Sequence, residues 1–295
     1  MGTRVRTMAT SRGVVEFADE GPADGPVVLT VHGSPGGHDQ GQLMGRFLVA
    51  AGFRVVSPSR PGYLGTPWTP SIATPHVQAG MLADLMSKLD VETFGVLSWS
   101  GGGPCGYRLA VEFPDRVRAL VAFAALSDRY EWRMSLFDRL MLGTTIGELL
   151  LKVAIARTPR LVVSGTLSTE GALSDAEVDE RTALIMADPD LLSFVLGAAR
   201  TGVMRGKRMV GVRNDALQFA TMPALDLADI EVPTLVVQGD ADADVDPGFS
   251  GNAVGQIPGA ESLVMDRGTH LSLFVDPGYQ QAQQRVIDFL RSQDR

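Results

Sequence analysis

Between Gly13 and Leu126 the sequence repeats one rhythm: a short β-branched run, a turn rich in glycine or proline, then a stretch of helical periodicity. Strands joined through helices lie parallel, because a parallel pair needs a long crossover where an antiparallel pair needs only a hairpin. Val14–Ala18, Val27–Val31, Arg54–Pro58, Phe94–Ser98 and Ala119–Ala124 are therefore expected as strands, and Leu43–Ala51, Val77–Leu89 and Pro104–Glu112 as helices. The strand runs are continuously apolar, which implies burial on both faces.

From about Asp128 to Ala228 the rhythm stops, and a helical pattern is interrupted at Pro159, Gly165, Gly171 and Pro189. It resumes with strands at Thr234–Gln238 and Ser262–Met265 and a final helix from about Gln280 to Arg291. The expected organisation is an α/β core over residues 1–127 and 229–295 with a helical cap inserted over residues 128–228. A chain of 295 residues is long enough for that core without covalent staples.

The net charge of −8 repels phosphate backbones and anionic membrane surfaces, so nucleic acid and membrane are not expected partners. No apolar run approaches the ~18 residues that a membrane span needs. Met1–Arg12 is polar and basic, without the apolar stretch of a secretory signal. The expectation is a cytoplasmic protein with a small-molecule substrate, for which a homodimer is allowed. Cys105 is the only cysteine, which excludes an intrachain disulfide and a cysteine metal site; on a helix it reads as a small buried hydrophobe.

Chemistry concentrates in the turns. Leu97-Ser98-Trp99-Ser100-Gly101-Gly102-Gly103-Pro104 joins a strand to a helix, with Ser100 at the sharpest point. A strand reversing directly into a helix brings backbones too close for large side chains, hence the small neighbours. Ser98 stands where the Gly-x-Ser-x-Gly elbow has its first glycine, and Gly102 supplies the second. Ser98 could itself be the nucleophile, but at the strand end it is the less favourable choice. The spacing G-x-G-x-x-G of a dinucleotide site is absent.

Three further segments accompany the elbow. Val27–Val31 empties into His32-Gly33-Ser34-Pro35-Gly36-Gly37; the turn after Thr234–Gln238 carries Asp240, Asp242, Asp244 and Asp246; and His270 lies in a turn between the last strand and the last helix. The alternating aspartates lack the glycine and glutamate of a calcium loop, where Val245 and Gly251 stand, so no metal is expected.

Together His32–Gly37, Ser98–Gly102, Gly239–Asp242 and Gly268–His270 resemble the α/β-hydrolase superfamily, serine-nucleophile branch, and Arg54–Thr66 looks like its strand-and-loop segment. The resemblance implies a mostly parallel eight-stranded sheet flanked by helices and no cofactor. Its order of nucleophile, acid and histidine makes His270 the base, the one histidine of four that follows Ser100. The strand-Gly-x-x-Asp pattern gives Asp242 as the orienting acid, with Asp244 the runner-up. Backbone N–H groups of Gly101 and Ser34 would form the oxyanion hole, since Pro35 has no N–H to offer. His32 then reads as a loop-fixing residue, while His38 and His76 have no assigned role.

Ser100 argues against the dehalogenase and epoxide-hydrolase branches, which use an aspartate there. The implied chemistry is attack by Ser100 on an ester-like carbonyl and hydrolysis of the acyl-enzyme by water, with His270 as base in both steps. C–C hydrolase, lyase or perhydrolase chemistry on the same triad, and a ligand-binding protein with vestigial hydrolysis, stay open. Trp99 beside the nucleophile either walls the acyl site or packs beneath it. In the cap, Met134, Met141, Met186, Met204, Met209 and Met222, with Tyr130, Trp132, Phe137, Phe194 and Phe219, offer either an adaptable apolar lining or ordinary packing. Arg200, Arg205, Lys207, Arg208 and Arg213 read as a solvated helix face or a site for an anionic group.

Overall fold

The computed structural model describes residues 5–132, 140 and 142–293. Eight strands form one sheet: β1 (Arg6–Thr10), β2 (Gly13–Glu20), β3 (Val27–Val31), β4 (Arg54–Pro58), β5 (Phe94–Trp99), β6 (Val117–Phe123), β7 (Thr234–Gly239) and β8 (Glu261–Met265). Their spatial order is β1-β2-β4-β3-β5-β6-β7-β8, antiparallel at β1–β2 and β2–β4 and parallel from β4 to β8.

Period-two alternation divides the central strands between two cores. Ala119, Val121 and Phe123 of β6 point into one, with Leu97 of β5 and Leu235 of β7; Leu120 and Ala122 point into the other, with Val96 and Val236. The first core is closed by helices α1 (His38–Ala50) and α10 (Tyr279–Ser292), the second by α2 (Pro75–Lys88), α3 (Gly103–Glu112) and α9 (Gly248–Gln256). Burial on both faces explains why the central runs are uninterrupted hydrophobes.

Three local differences from the sequence pattern have physical causes. β1 is an edge strand with exposed, polar residues, so it leaves no apolar run to read. α1 begins at His38, ahead of the apolar periodicity, because Gly41 and Gly45 bring it close to the sheet: a Cβ on Gly45 would stand 2.6 Å from Val55 Cγ1. α9 was hidden by Gly248, Gly251 and Gly255, which weaken its helical signal.

Between β6 and β7 lie α4 (Thr145–Arg157), α5 (Pro159–Glu170), α6 (Asp175–Ala187), α7 (Pro189–Thr201) and α8 (Met209–Thr221). The prolines that interrupt the pattern start helices: Pro159 and Pro189 occupy first turns, where the missing N–H would have no partner anyway. Ser174 and Glu177 close a capping box on α6, and Asp188 caps α7. No single helix among the described residues is long and apolar enough to cross a membrane.

Leu120 is fully buried at the centre of the second core. Leu120→Ala is expected to lower unfolding free energy by about 2–5 kcal/mol in urea titration, with an unchanged denaturant slope.

Candidate active site

Ser100 follows the last residue of β5 and adopts a left-handed backbone, φ 54°, before the chain turns into α3. For a serine this conformation is strained and persists only where the surroundings impose it. They do so through contact with the β3 end: a Cβ on Gly102 would stand 2.3 Å from the Val31 carbonyl oxygen. Ser98 fits the elbow because space is made on the facing helix, where a Cβ on Gly106 would meet Ser98 Cβ at 2.7 Å. Ser98 is fully buried and its hydroxyl donates to Val121 O, so the elbow presents Ser100 to the cavity and not Ser98.

The loops after β7 and β8 bring Asp242 and His270 to the same end of the sheet. His270 Nδ1–H donates to Asp242 Oδ2 at 2.8 Å. Asp242 is itself held: its Oδ1 accepts from the N–H groups of Asp244 and Val245, and its Oδ2 accepts from Gln238 Nε2. Asp244 lies on the opposite edge of the imidazole, with Oδ2 3.4 Å from Nε2. Burial alone would lower the His270 pKa, but the charges of Asp242 and Asp244, the hydrogen bond to Asp242 and the nearby Glu170 outweigh it and lift the value to about 10. Ser100 and His270 line one cavity, and no hydrogen bond joins them in this state.

Trp99 packs on one side and lines the cavity on the other. Its ring stacks on His270 at 5.5 Å and packs edge-on against Phe274. A Cβ on Gly101 would stand 2.5 Å from Ser34 Oγ, so the turn after Ser100 faces the β3 loop directly. Gly33 N–H is spent on Gln40 Oε1, whereas Ser34 N–H meets no acceptor among the described residues. His32 is buried and neutral, its pKa lowered first by burial and then by Arg60. Nε2 accepts from Arg60 N–H and Nδ1–H donates to Gly33 O, which fixes the tautomer and the turn.

An eight-stranded sheet in this order, a strained serine after β5 and a histidine–aspartate pair beyond β7 and β8 are now in place. The alpha/beta hydrolase family matches residues 28–284. The chain belongs to that family. An alpha/beta hydrolase fold protein from Nakamurella multipartita is 47% identical and superposes with a TM-score of 0.94, covering 98% of this chain and 99% of its own. The uncharacterized hydrolase YcgS of Bacillus subtilis (strain 168) is 26% identical over 92% of this chain and 93% of its own. A haloalkane dehalogenase from Psychrobacter cryohalolentis is 32% identical over 37% of this chain and 36% of its own.

The hydrolase cavity has a volume of about 650 Å³ and is bounded by Gly33, Ser34, Trp99, Ser100 and His270 on the core side and by α4, α5 and α7 on the other. Apart from Trp99, its apolar lining is aliphatic. Met204, Met222, Phe194 and Phe219 pack in the cores instead, while Met134, Phe137 and Met141 lie outside the described residues. Glu170, Asp244 and His270 each bring one potential ligand atom within 4.8 Å of the others, a donor set open to a cation, and their shared effect in this state is the negative field around the imidazole.

Sequence reasoning missed a buried ion pair. Arg60 donates from Nη1 and Nη2 to both carboxylate oxygens of Asp215 on α8, at 2.8 and 2.7 Å, although the two residues are 155 positions apart. The same guanidinium donates to the carbonyls of His32 and Gly33 and to Ser34 Oγ, and the Ser34 and Tyr63 hydroxyls both donate to Asp215. A signal was present: Asp215 lies three residues after buried Val212 and four before buried Phe219, a charge on the apolar face of its helix. Arg208, read as part of a solvated face, also turns inward, donating to Gly36 O and pairing with Asp39. Arg205 pairs with Glu148. The β3 loop is thus held by the helical segment as well as by the core.

Asp215→Asn would strand the Arg60 charge in the interior and is expected to cost about 3–5 kcal/mol in denaturant unfolding. Arg60→Met with Asp215→Leu should recover most of that stability. It should still leave Ser100 labelled more slowly by a fluorophosphonate than in the wild type, because Ser34 has lost its anchor.

Proposed function

We propose that this hydrolase cleaves an ester-like bond in a small apolar molecule, with Ser100 as nucleophile, His270 as general base and Asp242 as the carboxylate that orients the base. The observation that carries the reading is the convergence of Ser100, His270 and the unspent N–H of Ser34 on one cavity. Ser100 Oγ bonds to the carbonyl carbon while its proton passes to His270 Nε2, which must turn from Asp244 toward the serine. The tetrahedral oxyanion accepts from Ser34 N–H and Gly101 N–H, each worth roughly 3 kcal/mol of transition-state stabilisation. The leaving alcohol takes the proton from His270. Water then attacks the acyl-enzyme with His270 again as base, releasing the acid and restoring Ser100.

Ser100 also separates this reading from carbon–halogen cleavage: a serine nucleophile leaves an alkyl ether that water cannot hydrolyse readily, whereas an acyl-serine is an ester. The partner is a small molecule, as the cavity of about 650 Å³ and the acidic charge both favour.

Ser100→Ala is expected to abolish p-nitrophenyl ester turnover and fluorophosphonate labelling; turnover that survives unchanged overturns the assignment. The imidazole must be neutral to accept a proton, so with His270 lifted to about 10 the value of kcat/KM should climb with pH well into the alkaline range. Asp244→Asn removes one of the charges that raise it and should move this limb to lower pH. Asp242→Asn should lower kcat by orders of magnitude at every pH, because it removes the acceptor that holds the working tautomer.

A further inference from the structure

We propose that the substrate carries a linear alkyl chain, seated along α5 from the catalytic end of the cavity to an aliphatic mouth, and that its scissile end is uncharged. This rests on the esterase reading above and names the substrate class of the same site.

Thr158, Leu161, Val162, Gly165, Thr166 and Thr169 all line the cavity. Their spacing of three, four, seven, eight and eleven from the first is one continuous face of a helix, so nearly the whole length of α5 forms the wall. The helix is 12 residues long. At 1.5 Å per residue that is about 18 Å, on the order of a dozen extended methylenes. One end is fixed at the catalytic loop, where His270 N–H donates to Glu170 O at 2.9 Å.

The other end opens to solvent through aliphatic side chains. Leu161, Leu150 and Val153 line the cavity while being 67%, 51% and 51% exposed, and Ile146 and Leu149 continue the stripe along α4 at 72% and 60%. Exposed aliphatics contiguous with a catalytic cavity fit a ligand that is itself aliphatic there. The charged lining residues are confined to the catalytic end, where Glu170 and Asp244 stand beside His270 and would repel a phosphate or carboxylate near the scissile bond. The class is a neutral ester of a medium- or long-chain alkyl acid or alcohol.

Gly165 provides the test. It lies midway along the wall, and a Cβ there meets nothing within 4 Å. The first carbon of a Gly165→Leu side chain would therefore stand in open space on the cavity wall, and leucine suits a helix interior better than glycine. Wild type and variant would be compared on p-nitrophenyl esters from acetate to dodecanoate, and on acetates of alcohols from ethanol to dodecanol, which separate an acyl chain from an alcohol chain.

In one series the wild-type kcat/KM should rise by about tenfold or more with chain length, and Gly165→Leu should lose about tenfold more on the long members than on the acetate, as expected for a few methylenes denied burial. A flat profile in both series, or equal loss on short and long members, overturns the proposal. Leu161→Asp should act like Gly165→Leu on long chains; if it instead alters the oligomeric state in sedimentation and affects all chain lengths alike, the stripe is a contact between copies and the proposal fails. Dodecanol should raise the melting temperature of Ser100→Ala, and Gly165→Leu in that background should remove the rise. That shift without any ester turnover in the wild type would overturn the esterase reading and leave the alkyl site standing; turnover without it would do the reverse.

Discussion

The contact on which this site depends is between two backbones. At the elbow Gly102 lies so close to the end of β3 that a single added carbon would meet the Val31 carbonyl at 2.3 Å. That approach forces Ser100 into its left-handed conformation and sets Gly101 opposite Ser34. Ser100 and the N–H groups beside it therefore belong to one steric solution: adjacent parallel strands, β3 and β5, end together and turn in opposite directions.

Around this contact the protein stacks charges that are costly one by one and tolerable together. Arg60 and Asp215 sit in the interior with their polar atoms committed to each other and to the β3 loop. A buried pair of this kind is a poor source of stability beside an apolar substitute, but it allows few alternative geometries. The carboxylates around His270 work differently. Asp242 fixes the imidazole through Nδ1, and together with Asp244 and Glu170 it sets how tightly the ring holds its proton.

What could be read from the sequence was whatever a local pattern dictates. The central strands declare themselves as apolar runs because both faces are covered, and the elbow declares itself through the glycines that its steric problem demands. His270 stood out through chain order alone. β1 was not legible, since an edge strand needs no apolar side chains. Nor was the Arg60–Asp215 pair, whose partners are brought together only by the finished fold. The cavity wall eluded composition for a similar reason: methionines and aromatics drew attention, yet lining is decided by which helix face looks inward, and α5 offers leucine, valine, threonine and glycine.

The C-terminal end of α5 is tied by backbone to the loops that carry Asp242 and His270. Glu170 O accepts from the N–H groups of Ala243 and His270, and Ala172 N–H donates to Ala241 O at 2.7 Å. Gly171 and Asp242 form an isolated β-bridge. A lid hinged at this end could not lift without pulling on the residues that hold the imidazole. The wall of the cavity and the loops that carry Asp242 and His270 are therefore one hydrogen-bonded unit at this end.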